Sequence, residues 1–377
     1  MSTAAASFAP ASAVELALAL REGGPVRIAG GATKLAWGRP IEPPSTLSTQ
    51  ALHRLLEHSA GDLTAIVQAG APLAAVQTAL AEAGQLLALD PPLGDGGAAT
   101  VGGVMASGDS GPLRHRYGTA RDLVVGVEVA LGDGTLARSG GRVIKNVAGY
   151  DLAKLLGGSF GTLGVITEVC VRLHPRPARR LTVCARGDDP QQLAAAALAL
   201  GHAPLELESL DVSWAAGEGA VLARLAGTAP EEGARKTCAH AQAAGLRCEL
   251  VEDDEPLWER QRAGQRCAGG TVVRVAARQT DLPSVLRAAQ RLGAALVGRA
   301  ALGLSWLRFE RADADHVRAL RTELAPATCT VLDAPQQLRA ALDPWPELGA
   351  AELALTRRVK ARFDPRAVCN PGLFVAG

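Results

Sequence analysis

The tightest constraint on this chain is the stretch from Asp90 to Pro175, where glycine, alanine, serine and threonine crowd out bulky side chains. It reads DPPLGDGGAATVGGVMASGDSG, then RYGTARDLVVGVEVALGDGT, then GGRVIKNVAGYDLAKLLGGSFGTLGVITEV. Glycine loses more backbone freedom on folding than any other residue, so a dense cluster of it needs compensation. Close approach of the backbone to a partner supplies that. N–H groups with no Cβ beside them suit a large flat or phosphorylated ligand. Surface turns would scatter their glycines between strands, whereas Gly94 to Gly111 also holds a helix start, Thr100 ahead of Val101, Val104 and Met105. The expectation is a ligand-binding segment.

A second glycine turn lies about sixty residues upstream. A short strand is expected over Pro25 to Ala29, and GGATK follows at once. Gly30, Gly31 and Ala32 can form a concave row of N–H donors. The Thr33 hydroxyl and the Lys34 ammonium, expected beside solvent, add chemistry suited to a pyrophosphate. Neither GxxxxGK nor G-x-G-x-x-G is present.

Composition narrows the partners. Thirty-nine lysines and arginines against 38 acidic residues leave a net charge of +1, which gives no electrostatic footprint for nucleic acid or an anionic membrane. Five Trp, two Tyr and five Phe are too few for base-stacking platforms. The seven cysteines (170, 184, 238, 248, 267, 329 and 369) contain no CxxC pair, so buried reduced thiols are expected rather than a zinc or iron–sulfur site. The first residues, MSTAAASFAPAS, lack the pattern of a signal peptide, and no apolar run approaches the length of a membrane span.

ATVGGVMASGDSG, RYGTARDLVVGVEVALGDG and KNVAGYDLAKLLGGSFGTLGVITEV resemble the FAD-binding domain of the vanillyl-alcohol oxidase and p-cresol methylhydroxylase (PCMH-type) family. Within it they are similar to the FAD-binding subunits of bacterial glycolate oxidases. PVRIAGGATKLAWG upstream and FDPRAVCNPG downstream fit in the same order. The likeness spans most of residues 25 to 175 and roughly the last fifteen; the middle is matched only by its layout.

The resemblance implies an α+β fold. A two-lobed PCMH-type FAD-binding domain would occupy residues 1–176, an α/β cap domain with an antiparallel sheet covered by helices 177–343, and a segment returning to the FAD domain 344–377. It places FAD along Gly30, Gly31, Ala32, Thr33, Lys34 and Pro91. Thr100, Gly102 and Gly103 would lie near the phosphates, and Ser107, Gly108 and Ser110 near the ring system. Gly161, Gly164, Val165 and Ile166 would hold the adenine and ribose side. Asn370 either reaches the flavin edge or serves the turn before Pro371. Tethering in the family commonly uses a histidine, and His115 is the only one in or beside these phrases, in a charged turn where it is expected to be exposed. FAD is therefore expected to be non-covalent.

Taken in order, one amphipathic helix is expected over residues 1–24, packing through Val14, Leu16, Leu18 and Leu20. A strand over Thr64 to Ala69 precedes a helix with Pro72 in its first turn and Leu73, Val76 and Leu80 on one face. Val124 to Leu131 and a strand through Leu136 make a hairpin around GDG. Arg121 and Asp122 read as an ion pair at its entrance, and Asp151 as a helix cap after Lys145, Asn146 and Gly149-Tyr150. The cap should hold strands Leu181–Ala185, Val221–Leu225 and Thr271–Ala276 and helices Gln191–Leu200, Glu231–Ala244, Leu282–Leu292 and Ala312–Leu324, with Trp214, Trp258 and Trp306 in its core. A basic helix is expected over Ala350 to Arg362.

The function implied is an FAD-binding subunit of a multi-subunit 2-hydroxy-acid oxidase, oxidising glycolate to glyoxylate. The acid would be oxidised on a partner, because RAALGLSWL (Arg299 to Leu307) lacks the metal ligands that larger hydroxy-acid dehydrogenases of the family carry in the cap. His202, His240 and His316 are isolated, and no H-x-H occurs. No catalytic residue and no metal site are assigned. The partners implied are a catalytic FAD subunit and an iron–sulfur subunit, in the cytoplasm or peripheral at the inner membrane through the complex. Two alternatives stay open: a self-sufficient FAD-dependent 2-hydroxy-acid dehydrogenase, and an FAD-free structural subunit. Intact GGATK, ATVGG and GTLGVIT argue against the latter, since an abandoned pocket has no reason to exclude bulky side chains.

Overall fold

The computed structural model describes residues 6–141 and 152–374. Lys145, Asn146, Gly149, Tyr150 and Asp151 lie outside the described residues. The fold is mixed α and β with antiparallel main sheets, as an α+β chain requires.

The first body opens on a three-stranded parallel sheet, ordered Ala6–Phe8, Ser45–Ser48, Val26–Ala29. The single helix expected over residues 1–24 is instead this short edge strand followed by a helix over Ala13–Glu22. Pro10 has no N–H to give a helix, and Ser12 caps the later start by accepting from the Glu15 N–H at 3.2 Å. Its buried stripe is Leu16, Ala17 and Leu20, while Val14 and Leu18 are exposed. Residues spaced by two lie about 200° apart on a helix and cannot share one face.

An antiparallel five-stranded sheet follows, in the spatial order Leu55–Ser59, Thr64–Gln68, Val165–Arg172, Val124–Ala130, Leu136–Gly140. The second hairpin strand begins at Leu136 rather than ending there. The five residues Leu131 to Thr135 form the turn, closed by the Leu131 N–H donating to the Thr135 carbonyl at 2.9 Å. Asp122 does not pair with Arg121. It completes a capping box with Thr119, whose N–H and hydroxyl both donate to it at 2.7 and 2.8 Å. Under this sheet pack the helices Leu73–Ala81 and Val101–Ser107.

The second body is an eight-stranded antiparallel sheet, ordered Arg247–Val251, Arg179–Gly187, Glu218–Gly227, Leu207–Ala215, Ala295–Arg299, Leu304–Phe309, Thr271–Ala276, Thr328–Val331. The period-two alternation of a strand divides it into two faces. Val183, Val212, Val221, Val273, Val275 and Leu307 point to one side, where the helices Pro190–His202, Pro230–Ala243, Leu282–Arg291 and Ala314–Glu323 cover them. Thr182, Asp211, Arg224, Arg274, Arg299 and Trp306 alternate to the other, as the registers Asp211↔Arg299 and Arg274↔Trp306 require. Trp214, Trp258 and Trp306 are all buried.

The C-terminal helix Ala350–Phe363 leads the chain back to the first body. The Val26 N–H donates to the Val368 carbonyl at 2.8 Å and the Asn370 N–H to the Val26 carbonyl at 3.1 Å. Among the described residues, no helix is long and apolar enough to cross a membrane.

Candidate functional site

Between the Gly30–Lys34 loop, the start of the Val101–Ser107 helix, the Phe160–Ile166 turn and Asn370 lies an open cleft. It is lined by Gly30, Gly31, Ala32, Thr33 and Lys34, by Thr100, Gly102, Gly103 and Ser107, and by Gly161, Gly164, Val165 and Ile166. The two glycine-rich phrases thus meet across one space. Pro91, Gly108 and Ser110 do not line it. Pro91 lines a separate cavity beside Asp90. Gly108 closes the helix in a left-handed conformation, φ 63°. Ser110 turns toward the second body, its carbonyl accepting from Gln265 Nε2 at 2.9 Å.

The backbone donors separate the two phrases. No N–H from Gly30 to Lys34 donates to any group among the described residues. Ala32 holds a left-handed conformation, φ 59°, that few residues other than glycine adopt. At the helix start, by contrast, the N–H groups of Val101, Gly102 and Gly103 are already given to the carbonyls of Ala71 and Ala69 and to the Thr100 hydroxyl. The loop, rather than the helix end, presents unengaged donors to an anion.

The glycines also differ. A Cβ on Gly31 would stand 1.5 Å from the Ala98 carbonyl oxygen, and one on Gly30 2.3 Å from the Thr100 hydroxyl. Both serve the loop's seat on residues 98–100. A Cβ on Gly103 would meet only the Thr100 hydroxyl, at 3.0 Å, and would otherwise stand in open space. The Ser107 hydroxyl bonds back to the Gly103 carbonyl at 2.8 Å. Asn370 accepts from the Ile28 N–H and donates to the Phe160 carbonyl, both at 2.8 Å, so it ties three walls of the cleft together.

Lys34 is not beside solvent. Its side chain is 9% exposed and lies 3.2 Å from the Asp109 carboxylate, itself 3% exposed. Trp37 lies next to it, 5.7 Å from the ammonium, and Arg266 lies 5.4 Å from the same ring. Trp37 Nε1 donates to Asp333 at 2.9 Å, which joins the loop to the second body.

Beyond Lys34 the polar face of the eight-stranded sheet closes over the first body. Arg299 is fully buried, bonds Asp211 at 2.5 Å, donates to Gln265 and stacks on Trp306. Burial raises the Asp211 pKa to about 6 and that of Asp90 to about 7, against the nearby Arg299 charge. His115 is half-buried rather than exposed, its Nδ1 is shielded from solvent without a partner, and burial lowers its pKa. Sequence reasoning passed over Arg274, and the one available signal was a charge breaking the apolar run in TVVRVA. Among the described residues, no three His, Cys, Asp or Glu side chains group as a metal site, and the cysteines are free thiols.

The family model described as FAD binding domain matches residues 5–140. The chain is 40% identical over 159 residues to the glycolate oxidase subunit GlcE of Escherichia coli, covering 42% of this chain and 45% of that protein. It is 35% identical over 191 residues to the glycolate oxidase subunit GlcD of Bacillus subtilis, covering 50% and 40%. The chain thus spans less than half the length of these curated relatives. An alkyldihydroxyacetonephosphate synthase structure shares the fold over 97% of this chain and 75% of its own, with a TM-score of 0.72 at 14% identity. Over residues 5–140, which carry much of its glycine-lined cleft, the chain is similar to the FAD binding domain family.

Proposed function

We propose that the cleft holds FAD non-covalently and that the chain is the FAD-binding subunit of a multi-subunit 2-hydroxy-acid oxidoreductase, one that oxidises glycolate to glyoxylate. The observation that carries this is the row of unengaged N–H groups from Gly30 to Lys34, seated on residues 98–100 and lining the cleft where the glycine-rich phrases meet. Gly30 to Thr33 would hold the pyrophosphate, with Lys34 contributing only the charge that Asp109 leaves uncancelled. Gly161, Gly164, Val165 and Ile166 would take the adenine and ribose side. When bound, FAD supplies the two-electron acceptor that protein side chains lack. The chain's part is to bind, orient and exclude water. Domains over 1–176 and 177–343, with 344–377 returning to the first, are the division we adopt.

The partners proposed are a catalytic FAD subunit and an iron–sulfur subunit, in the cytoplasm or at the inner membrane through the complex. Similarity to two proteins named as glycolate oxidase subunits supports this reading. Anaerobic mixing of the isolated, FAD-loaded chain with glycolate and with D-lactate tests where oxidation occurs. An unchanged flavin band, bleached only once partner subunits are added, is expected. Rapid bleaching by either acid alone would make the chain a self-sufficient dehydrogenase.

A further inference from the structure

The C-terminal helix Ala350–Phe363 buries none of its 14 residues. A helix of this length is marginal in water by itself and draws most of its stability from a packed face. Here Val359 and Phe363 pack on the core of the first body. Lys360 anchors the helix, donating to the Thr162 and Cys369 carbonyls at 2.7 and 2.9 Å and to Asp364. One turn before Val359, Leu355 is left 54% exposed. Between this helix and the helix Leu152–Leu156 runs a groove walled by Leu155, Leu163, Leu355, Val359 and Phe374. Leu155 is 39% exposed, and Leu152, three residues earlier and on the same side of its helix, is 45% exposed. Gly157 and Gly158 line the groove without side chains, and a Cβ on Gly158 would stand in open space.

The polar side chains of the groove are already engaged. Ser159, Thr162 and Thr356 give their hydroxyls to the carbonyls of Leu156, Ser159 and Glu352 at 2.8, 2.7 and 2.8 Å, and Asn370 gives its amide to the Phe160 carbonyl. The groove therefore suits apolar side chains rather than an anion or a nucleotide. Charge of one sign surrounds it. Arg358 and Arg362 follow Leu355 at i+3 and i+7, on its own side of the helix. On the opposite wall a Cβ on Gly157 would stand 2.5 Å from the Arg121 side chain. All three arginines are exposed, and none makes a hydrogen bond or ion pair with a described residue. A second copy of this chain would bring the same cations against these, which opposes a two-fold contact. A lipid surface needs an outward apolar stripe, and this helix turns Val359 and Phe363 inward.

We infer that this groove is the docking surface for a partner protein, one that seats an apolar side chain among Leu155, Leu355 and Phe374 and rings it with carboxylates for Arg121, Arg358 and Arg362. Asn370 lines both the groove and the glycine-lined cleft. Phe160 of the cleft wall meets Trp345 edge-on, with ring centroids 5.0 Å apart, and lies 6.5 Å from Phe374 of the groove. A partner seated here is one residue layer from the cleft. That the partner is another subunit of the oxidoreductase rests on the function proposed above.

Titrating the FAD-loaded chain with the two partner subunits proposed above tests this, with affinity read by analytical ultracentrifugation and flavin content measured on each sample. Leu355→Glu and Leu155→Glu should each weaken assembly about tenfold or more, with flavin content unchanged. The two leucines lie on different helices, so one variant that fails to fold leaves the other to decide. Replacing both Arg358→Glu and Arg362→Glu should weaken assembly at low salt and less so at high salt. Leu250→Glu, an equally exposed leucine on the second body, should match wild type. Assembly as tight as wild type in both Leu355→Glu and Leu155→Glu would overturn the surface and leave the multi-subunit reading standing. A wild-type chain that holds FAD but joins neither subunit would overturn both. Dimers of this chain alone, or binding to vesicles of phosphatidylglycerol and phosphatidylcholine, abolished by either leucine variant, would give the groove to a second copy or to lipid and overturn the partner.

Discussion

The two faces of the eight-stranded sheet are made from the same strands and follow opposite rules. On the helix-covered face, Val183, Val212, Val273, Val275 and Leu286 interlock without a polar atom. On the face toward the glycine-lined cleft, Arg224, Arg299 and Asp211 are just as far from bulk water but carry charge, while Arg274 is only partly buried. Arg224 is matched, bonding Asp254 at 2.7 and 2.9 Å, while Thr182 bridges Asp254 to Trp258. Arg299 is matched by Asp211. Arg274 is not. Burial on one face is satisfied by packing alone; burial on the other is satisfied pair by pair.

Breaking a matched pair should have the largest effect. Arg299→Met leaves Asp211 buried and unpaired, and should cost about 3–5 kcal/mol in denaturant unfolding. Adding Asp211→Leu should recover most of that loss, since an apolar replacement of both partners removes the uncompensated charge. Failure to recover would mean the pair does more than neutralise itself.

On the opposite face, Leu286→Ala removes a fully buried side chain and should cost about 2–5 kcal/mol through the cavity it leaves. FAD content should stay at the wild-type level. A loss of it at temperatures where the variant is folded would show that the two faces are not independent.

Asp90 is buried within the field of Arg299 and Arg262. Its pKa of about 7 in the fold, against an ordinary 3.8, means that the native state keeps a proton the unfolded chain has lost. Stability therefore falls as pH rises from about 4 to about 7. Asp90→Asn keeps an acceptor for the Leu113 N–H, which now donates to Asp90 Oδ1 at 3.0 Å. The variant should be more stable than wild type by about 1–3 kcal/mol at pH 8, the gain vanishing near pH 4. A pH-independent difference would contradict the burial argument.

The first body was the more legible part. Glycines around a cofactor are excluded space written into the sequence, and GGATK, ATVGG and GTLGVIT do converge on one cleft. What the sequence hid was which donors were already spent. Thr100 and the carbonyls of Ala69 and Ala71 consume the helix N–H groups, and Asp109 consumes much of Lys34. These are contacts between distant segments that no local pattern records. The second body hid its charged face for a related reason. Charged residues alternating with apolar ones read as solvent-facing positions, and only the cross-strand register Asp211↔Arg299 shows that they pair in the interior.

The account stands on FAD in the Gly30–Lys34 cleft, and the flavin spectrum of the purified chain tests it directly when paired with Gly103→Val. That side chain would enter the cleft with only Thr100 in its way, so the fold should survive while the cofactor is excluded. Wild type is predicted to carry about one FAD per chain, released to the supernatant by acid precipitation, and Gly103→Val to carry almost none while melting cooperatively. Flavin bound equally by both proteins, or flavin that stays with the acid pellet, would contradict the account.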